Sequence, residues 1–311
     1  MKVAITGGAG FVGSHVVDMA VHSGHEVIVI DNLVTGHKEW LNIDIHDFYQ
    51  CDLNELHADL LQRVDAIIHL AAYADLRHNW ESTNERNRLY RDNVDGTRRL
   101  LECMPNVPIA FASTASVYGA QRNPAPVIES GACPETMQSP YAASKFACEA
   151  LIASYAYARH FPWFCFRFVN VVGKHTRHGV IGDFVKMQQA SGHIHAKDNG
   201  KQRKSWVHAD DAAGAVLTAV ENGLYSAHSN QLGMPSGVYN LTSKQRISWW
   251  DIVSQMGVDR ASVTFEDTAG GAIGDPVDLH VSGEKLVPWF KCERKIEDGI
   301  QEALDDLGWC T

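Results

Sequence analysis

The run Thr6-Gly7-Gly8-Ala9-Gly10-Phe11-Val12-Gly13 constrains this chain more than any other segment. It follows an apolar stretch at residues 2–6. It leads into Phe11, Val12, His15, Val16, Met19 and Ala20, which recur at helical spacing until Ser23-Gly24 stops them. A strand, a glycine-rich turn and a helix in that order open a doubly wound α/β sheet. Glycine is needed there for a tight turn, for close approach of backbone to a pyrophosphate, and for close packing of helix on strand. The helix start also leaves N–H groups free to meet an anion. A second β-branched run, residues 26–30, ends at Asp31. Alone, Asp31 reads as a turn residue before Asn32. Behind these glycines it is placed to bind the hydroxyls of an adenosine ribose and to repel a 2′-phosphate, which favours NAD over NADP. Asp52-Leu53 follows a further short strand and can flank the adenine, although by itself Asp52 is also a good helix cap.

Strand signals recur at residues 64–70, 107–113 and 163–168. Helical stretches at 82–103 and 141–159 separate them, the second closed by Pro162. Strands alternating with helices make a parallel sheet covered on both faces. After Asn170 the alternation loosens, with helices expected at 210–221, 248–256 and 294–307 and a short strand at 238–241. The expected fold is therefore α/β: a Rossmann-type doubly wound parallel sheet with a smaller C-terminal substrate-binding domain. Residues 1–170 would form the NAD-binding domain, with 206–230 packing back on it, and residues 171–311 the smaller unit.

The chain has 311 residues, 45% of them hydrophobic, enough for such a core. A net charge of -10 argues against nucleic acid or an acidic membrane surface as partner. No apolar window approaches a membrane span or the core of a signal peptide. Seven cysteines, none in a C-x-x-C pair, read as reduced thiols of a cytoplasmic protein. His193-Ile194-His195 and the residues around His175 and His178 have ligand-like spacings, but no neighbouring thiol or carboxylate completes a site, and no metal is expected.

The chemistry points to Tyr141-Ala142-Ala143-Ser144-Lys145. Residues four apart share a helix face, so Lys145 can lie beside the Tyr141 hydroxyl. A free tyrosine titrates near about 10 and is a poor base at neutral pH. A neighbouring ammonium and a positive nicotinamide both favour the phenolate, which then takes a proton from an alcohol as hydride leaves the same carbon. Ser113-Thr114-Ala115-Ser116 follows another apolar strand, at the sheet edge where open α/β sheets bind ligands.

Taken together, these segments resemble the extended short-chain dehydrogenase/reductase family. The likeness rests on the glycine-rich turn, Asp31-Asn32-Leu33-Val34-Thr35-Gly36, His69-Leu70-Ala71-Ala72 and Asn93-Val94-Asp95-Gly96-Thr97. It continues through Ser113 to Gly119, Tyr141 to Lys145, Arg167-Phe168-Val169-Asn170 and Val207-His208-Ala209-Asp210-Asp211. Within the family the likeness is to nucleotide-sugar epimerases of the UDP-glucose 4-epimerase type. The resemblance implies a tightly held NAD, reduced and reoxidised in one turnover. It implies Tyr141 as base, Lys145 as its partner and Thr114 as the hydroxyl bridging to the sugar. It puts Gly7, Gly10, Phe11, Val12, Gly13, Asp31, Asn32, Asp52, Leu53, Leu70, Ala71, Ala72, Asn93, Ser113 and Phe168 at cofactor positions, beside Tyr141 and Lys145. It puts Asn170 and Lys204 on the substrate side with Thr114 and Tyr141, and it implies a homodimer. Dehydratases of this kind carry Asp-Glu after the threonine, and decarboxylating relatives a glutamate two places after it. This chain has Ala115 and Ser116, which favours epimerisation. It departs from the family in having Lys204 where an arginine usually holds the pyrophosphate, and no cation in Gly270-Gly271-Ala272-Ile273 before Gly274-Asp275. Two rival readings share the fold: a dehydrogenase or reductase that releases its cofactor, and a non-catalytic NAD-sensing protein.

Overall fold

Alternation along the first strand decides which faces are covered. Val3 and Ile5 point into one apolar core with Val16, Val17, Ala212, Ala213 and Val216, while Ala4 points into another with Ile28, Ile67, Leu100, Cys148 and Ile152. A strand apolar on both faces belongs inside a sheet with helices on either side. The computed structural model shows that sheet, and describes residues 1–41, 45–74, 82–120, 125–197, 200, 202–228, 233–266 and 278–309.

The strands in chain order are β1 (Lys2–Thr6), β2 (Glu26–Asp31), β3 (Asp47–Gln50), β4 (Ala66–His69), β5 (Ile109–Thr114) and β6 (Trp163–Phe168). They continue as β7 (Asn170–Val172), β8 (Ile194–Lys197), β9 (Arg203–His208), β10 (Gly237–Leu241), β11 (Arg246–Ser248) and β12 (Val263–Glu266). The helices are α1 (Phe11–His22), α2 (Thr83–Tyr90), α3 (Gly96–Cys103), α4 (Pro140–Arg159), α5 (Val180–Ser191), α6 (Ala209–His228), α7 (Trp249–Gln255) and α8 (Ile296–Asp306). Seven strands form the main sheet in the order β10-β6-β5-β4-β1-β2-β3, and every pair in it is parallel. This is the doubly wound arrangement expected from the sequence. Its order reverses between β1 and β4, where such sheets bind ligands at the strands' carboxyl ends.

Helices α1 and α6 pack together on one face, and α3 and α4 cover the other. A third core, with Phe184, Trp206, Ile252 and Ile300, joins the sheet β11-β9-β7 to α5, α7 and α8. The stretch expected as one helix over 82–103 is instead α2 and α3 joined by a π-helical turn, Arg91–Asp95. The widened turn contains Asn93, whose side chain is committed elsewhere, as described below. Helix α6 runs seven residues past the expected end at Glu221, to His228.

Candidate active site

The glycine-rich turn is held by contacts that leave no room for side chains. Gly7 has φ +71°, and a Cβ on it would lie 2.6 Å from the Ala71 nitrogen, just past the end of β4. A Cβ on Gly13 would lie 2.0 Å from the Gly7 carbonyl oxygen. Gly10 is the N-cap of α1 and supplies no capping side chain, so the Phe11 and Val12 amides at the helix start lack an intrahelical acceptor. Asp31 at the end of β2 is buried; its Oδ2 accepts from the Ala9 N–H at 3.0 Å and its Oδ1 from the Leu33 N–H at 2.8 Å. Each oxygen keeps a lone pair for a further donor. Gly36 closes on the carboxylate, where a Cβ would sit 2.7 Å from Oδ1. Leu70, Ala71 and Ala72 leave β4 beside this turn, with the Leu70 N–H on the Thr6 carbonyl at 3.0 Å. The fold thus gathers Gly7, Gly10, Phe11, Val12, Gly13, Asp31, Asn32 and Leu70 to Ala72 at the switch point. A cradle that a Cβ would fill, an uncapped helix start and a buried acid beside them fit a dinucleotide. Asp52 caps the short turn Leu53–Glu55, accepting from the Asn54 N–H at 2.9 Å, and Leu53 is buried.

Tyr141 and Lys145 stand in the first turns of α4, which begins at Ser139, whose hydroxyl accepts from the Ala142 N–H, and Pro140. Thr114 ends the adjacent strand β5; its hydroxyl donates to Ser116 Oγ at 3.1 Å and accepts from the Ser116 N–H at 3.1 Å. The electrostatics correct one expectation. Lys145 Nζ donates to the Ala112 carbonyl at 2.7 Å and lies 4.6 Å from the centre of the Phe111 ring. Burial drives its pKa down to about 8, still charged at neutral pH. Burial also pushes Tyr141 up, to about 12. Desolvation decides at this tyrosine, so the phenolate is not favoured by the chain alone.

Two residues expected at the cofactor turn inward. Asn93 Oδ1 accepts from the Tyr73 N–H at 2.7 Å, and its Nδ2 donates to the Tyr73 carbonyl at 3.1 Å and Ser144 Oγ at 3.0 Å. It pins the segment after β4 to α4. Ser113 donates to Glu149 Oε1 at 2.5 Å. Glu149 lies one turn beyond Lys145 and is held by Arg167 through Nε at 2.9 Å and Nη2 at 2.7 Å, both side chains buried. Arg167 Nη1 also donates to the Tyr118 hydroxyl at 3.0 Å. Sequence reading missed Glu149. Its signal was a carboxylate at the 141, 145, 149 spacing on a helix face turned to the sheet.

His69 closes a second buried circuit. Its Nδ1 lies 2.7 Å from Thr6 Oγ1 and its Nε2 2.9 Å from Thr97 Oγ1. Thr97 donates its own proton to the Asn93 carbonyl at 2.6 Å, so His69 Nε2 carries the hydrogen and Nδ1 accepts from Thr6. Burial, with the Lys145 charge nearby, holds the ring down to about 3 from its ordinary 6.5. Between those values the unfolded chain binds a proton that the folded chain does not. Stability therefore rises with pH across that window and is lost on acidification, at a slope approaching about 1.4 kcal/mol per pH unit. Thermal unfolding followed from pH 6.5 to 4.5 should show this slope, and His69→Gln should flatten it by about one proton. An unchanged slope in the variant would refute the assignment.

Phe168 ends β6 opposite Thr114, and Asn170 opens β7 with Nδ2 3.5 Å from the Ser205 carbonyl. Lys204 on β9 is buried, with Nζ 6.0 Å from the centre of the Trp249 ring. Residues 270 to 275, where the second family cation is replaced, lie outside the described residues.

Residues 3–232 match the NAD dependent epimerase/dehydratase family. UDP-glucose 4-epimerase of Erwinia amylovora is 34% identical over an alignment of 346 positions, gaps included, covering 99% of this chain and 95% of that protein. A crystal structure of UDP-galactose 4-epimerase superposes with a TM-score of 0.80 at 27% identity, covering 99% of both chains. UDP-N-acetylglucosamine 4-epimerase from Methanobrevibacter ruminantium M1, in complex with UDP-N-acetylmuramic acid, gives a TM-score of 0.82 at 26% identity, covering 98% of this chain and 97% of that one. The glycine cradle, the buried acid and the full-length match agree: this chain belongs to the NAD dependent epimerase/dehydratase family.

Proposed function

We propose that this chain interconverts the C4 epimers of a nucleotide-linked sugar of the UDP-hexose class, with NAD retained through turnover. The observation that carries the reading is the make-up of one edge. Lys145, one helical turn from Tyr141, reaches the Ala112 carbonyl of β5, the strand that Thr114 ends, and the next residues, Ala115 and Ser116, bring no carboxylate. Loss of water or of carbon dioxide needs such an acid or base; oxidation and return of hydride does not. The substrate class is that named for the relatives in the preceding section.

In this reading Tyr141 takes the proton of the C4 hydroxyl and returns it to the oxygen of the C4 ketone. Bound NAD supplies the hydride acceptor and a positive ring charge that favours the phenolate. Lys145, charged and fixed on the Ala112 carbonyl, adds to that field. Thr114, braced by Ser116, presents its hydroxyl to the sugar. Asp31, the Phe11 and Val12 amides and the turn at Leu70 to Ala72 hold the dinucleotide. Asn93 and Ser113 position these groups from behind. Asp52 and Leu53 flank the adenine, and Phe168 the nicotinamide. Asn170 and Lys204 face the nucleotide-sugar, and residues 171–311, apart from α6 and β10, form the substrate-binding unit. Lysine replaces a bidentate fork by a point charge, so orientation of the pyrophosphate must come from backbone donors as well.

A cytoplasmic homodimer accompanies this reading. Six described cysteines are free, as a reducing compartment requires, and no helix among the described residues is long and apolar enough to cross a membrane. Along α4, Ala147 and Ala150 are exposed, Ala143 and Ala153 half-buried, and Tyr157 is 85% exposed, a face that a second copy can cover. Ala142 is buried within its own chain.

Incubation of the pure protein with a panel of nucleotide sugars, without added cofactor, followed by NMR, tests the activity. Appearance of the C4 epimer supports it. Stoichiometric NADH with a released keto sugar would make it a dehydrogenase, and inertness to every sugar would favour a sensor.

A further inference from the structure

A stack of rings closes over the N-terminal end of α1, and nothing in the proposed chemistry uses it. Trp40 lies in the loop that follows Asp31, and His175 in the turn that follows β7. Their rings stack with centroids 4.5 Å apart and planes 5° apart. His37 lies on the other side of Trp40, at 4.2 Å. Both ends of this stack are tied to the phosphate-binding turn. The His37 N–H donates to the Ala9 carbonyl at 2.8 Å. The His175 Nδ1 lies 2.9 Å from Ser14 Oγ, and Ser14 gives its own proton to the Phe11 carbonyl at 2.8 Å, so His175 is the donor. Two segments far apart in sequence thus meet as an arch rooted on either side of the helix start.

Four further observations show that the arch is held in place. His175 has φ +69°, in the left-handed region that a non-glycine residue occupies only when its surroundings impose it. It is buried nonetheless, at 6% exposure, and burial keeps its ring neutral, down to about 4. The neighbouring turn is braced by His15 on α1. Its Nδ1 lies 2.6 Å from Asp210 Oδ1 and its Nε2 2.9 Å from the Lys174 carbonyl. Both nitrogens face acceptors, so the ring carries both protons and joins α1, the start of α6 and the turn bearing His175. Gly36, folded against the Asp31 carboxylate, fixes the other limb.

We propose that the Trp40–His175 stack is a clasp over the pyrophosphate end of the dinucleotide site, and that its opening sets the rate at which NAD leaves. A dinucleotide lying from Asp31 across the Phe11 and Val12 amides passes beneath this arch, and cannot lift out while the rings are in contact. The inference rests on the reading that NAD is retained, and the test separates the two.

The holoprotein is loaded with radiolabelled NAD, and loss of label into excess unlabelled NAD is followed on desalting columns. This is done for the wild type, Trp40→Ala, His175→Ala, the double variant and Trp40→Phe, with melting temperature as a check on folding. The clasp requires each alanine variant to exchange about tenfold faster or more. It requires the double variant to be no faster than the faster single one, because either change alone breaks the contact. Trp40→Phe should restore slow exchange. Wild-type exchange within seconds would overturn retention and the clasp together. Slow exchange in every variant would overturn the clasp and leave retention standing. Additive acceleration, or loss of NAD only in proportion to a lowered melting temperature, would make the stack ordinary packing and overturn it as well.

Discussion

Tyr141→Phe is expected to retain the fold and its NAD and to lose turnover by about a hundred- to ten-thousand-fold, the usual cost of removing a general base. The ring is half-buried at the start of α4, and no hydrogen bond to its hydroxyl from a described residue holds the surrounding structure. Phenylalanine keeps the packing and removes only the atom that moves the proton. The chain raises this hydroxyl to about 12, so the tyrosine is a resting acid that must be ionised in the loaded site. Lys145→Met should then slow the reaction by a smaller factor and move the rising limb of the pH profile to higher pH, because a charge that favours the phenolate is gone. Steady-state kinetics of the two variants on one confirmed nucleotide sugar, with NAD content measured after denaturation, reads both effects. Wild-type turnover in Tyr141→Phe would remove the tyrosine from the mechanism.

Gly13→Ala is expected to destabilise the protein by about 3 kcal/mol or more and to abolish dinucleotide binding. The added Cβ would lie 2.0 Å from the Gly7 carbonyl oxygen and 2.8 Å from the Gly8 Cα, all backbone, so no rotamer change relieves it. The helix must move off the turn, and the Phe11 and Val12 amides move with it. Gly10→Ala is the matched control. Its Cβ would come no closer than 3.2 Å to the Gly7 carbonyl, so the fold should survive. The methyl would instead stand where a pyrophosphate approaches the backbone, and NAD affinity should fall. Chemical denaturation paired with NAD content separates a packing glycine from a binding one. Equal stability in Gly13→Ala and wild type would contradict the packing.

What could be read from the sequence was local. The strand, turn and helix of residues 2 to 22 carry their own signals: β-branched runs, glycines where a Cβ has no room, and apolar residues at helical spacing. The doubly wound sheet followed from them, because a parallel sheet opened by such a unit has few ways to wind. The family resemblance puts Asn93 and Ser113 at cofactor positions. Their partners, Ser144 and Glu149, stand 51 and 36 residues away, and only the packed chain brings them together. The π-helical turn at Arg91–Asp95 has the same cause, since it carries the Asn93 amide to Tyr73 and α4. Beyond Asn170, strands of three or four residues such as β7, β8 and β11 are too short for a period of two to show. The clasp was invisible for a related reason: Trp40 and His175 lie far apart in the sequence, and only the packed chain brings their rings together.

The most direct measurement uses a nucleotide sugar carrying deuterium at C4, incubated with enzyme in ordinary water without added NAD. If hydride is stored on the bound cofactor and returned to the other face, NMR will show the opposite C4 epimer with deuterium still at C4, and the protein will contain NAD before and after. Loss of the deuterium to solvent, or a keto sugar accumulating with one NADH per enzyme, would contradict epimerisation by internal hydride return.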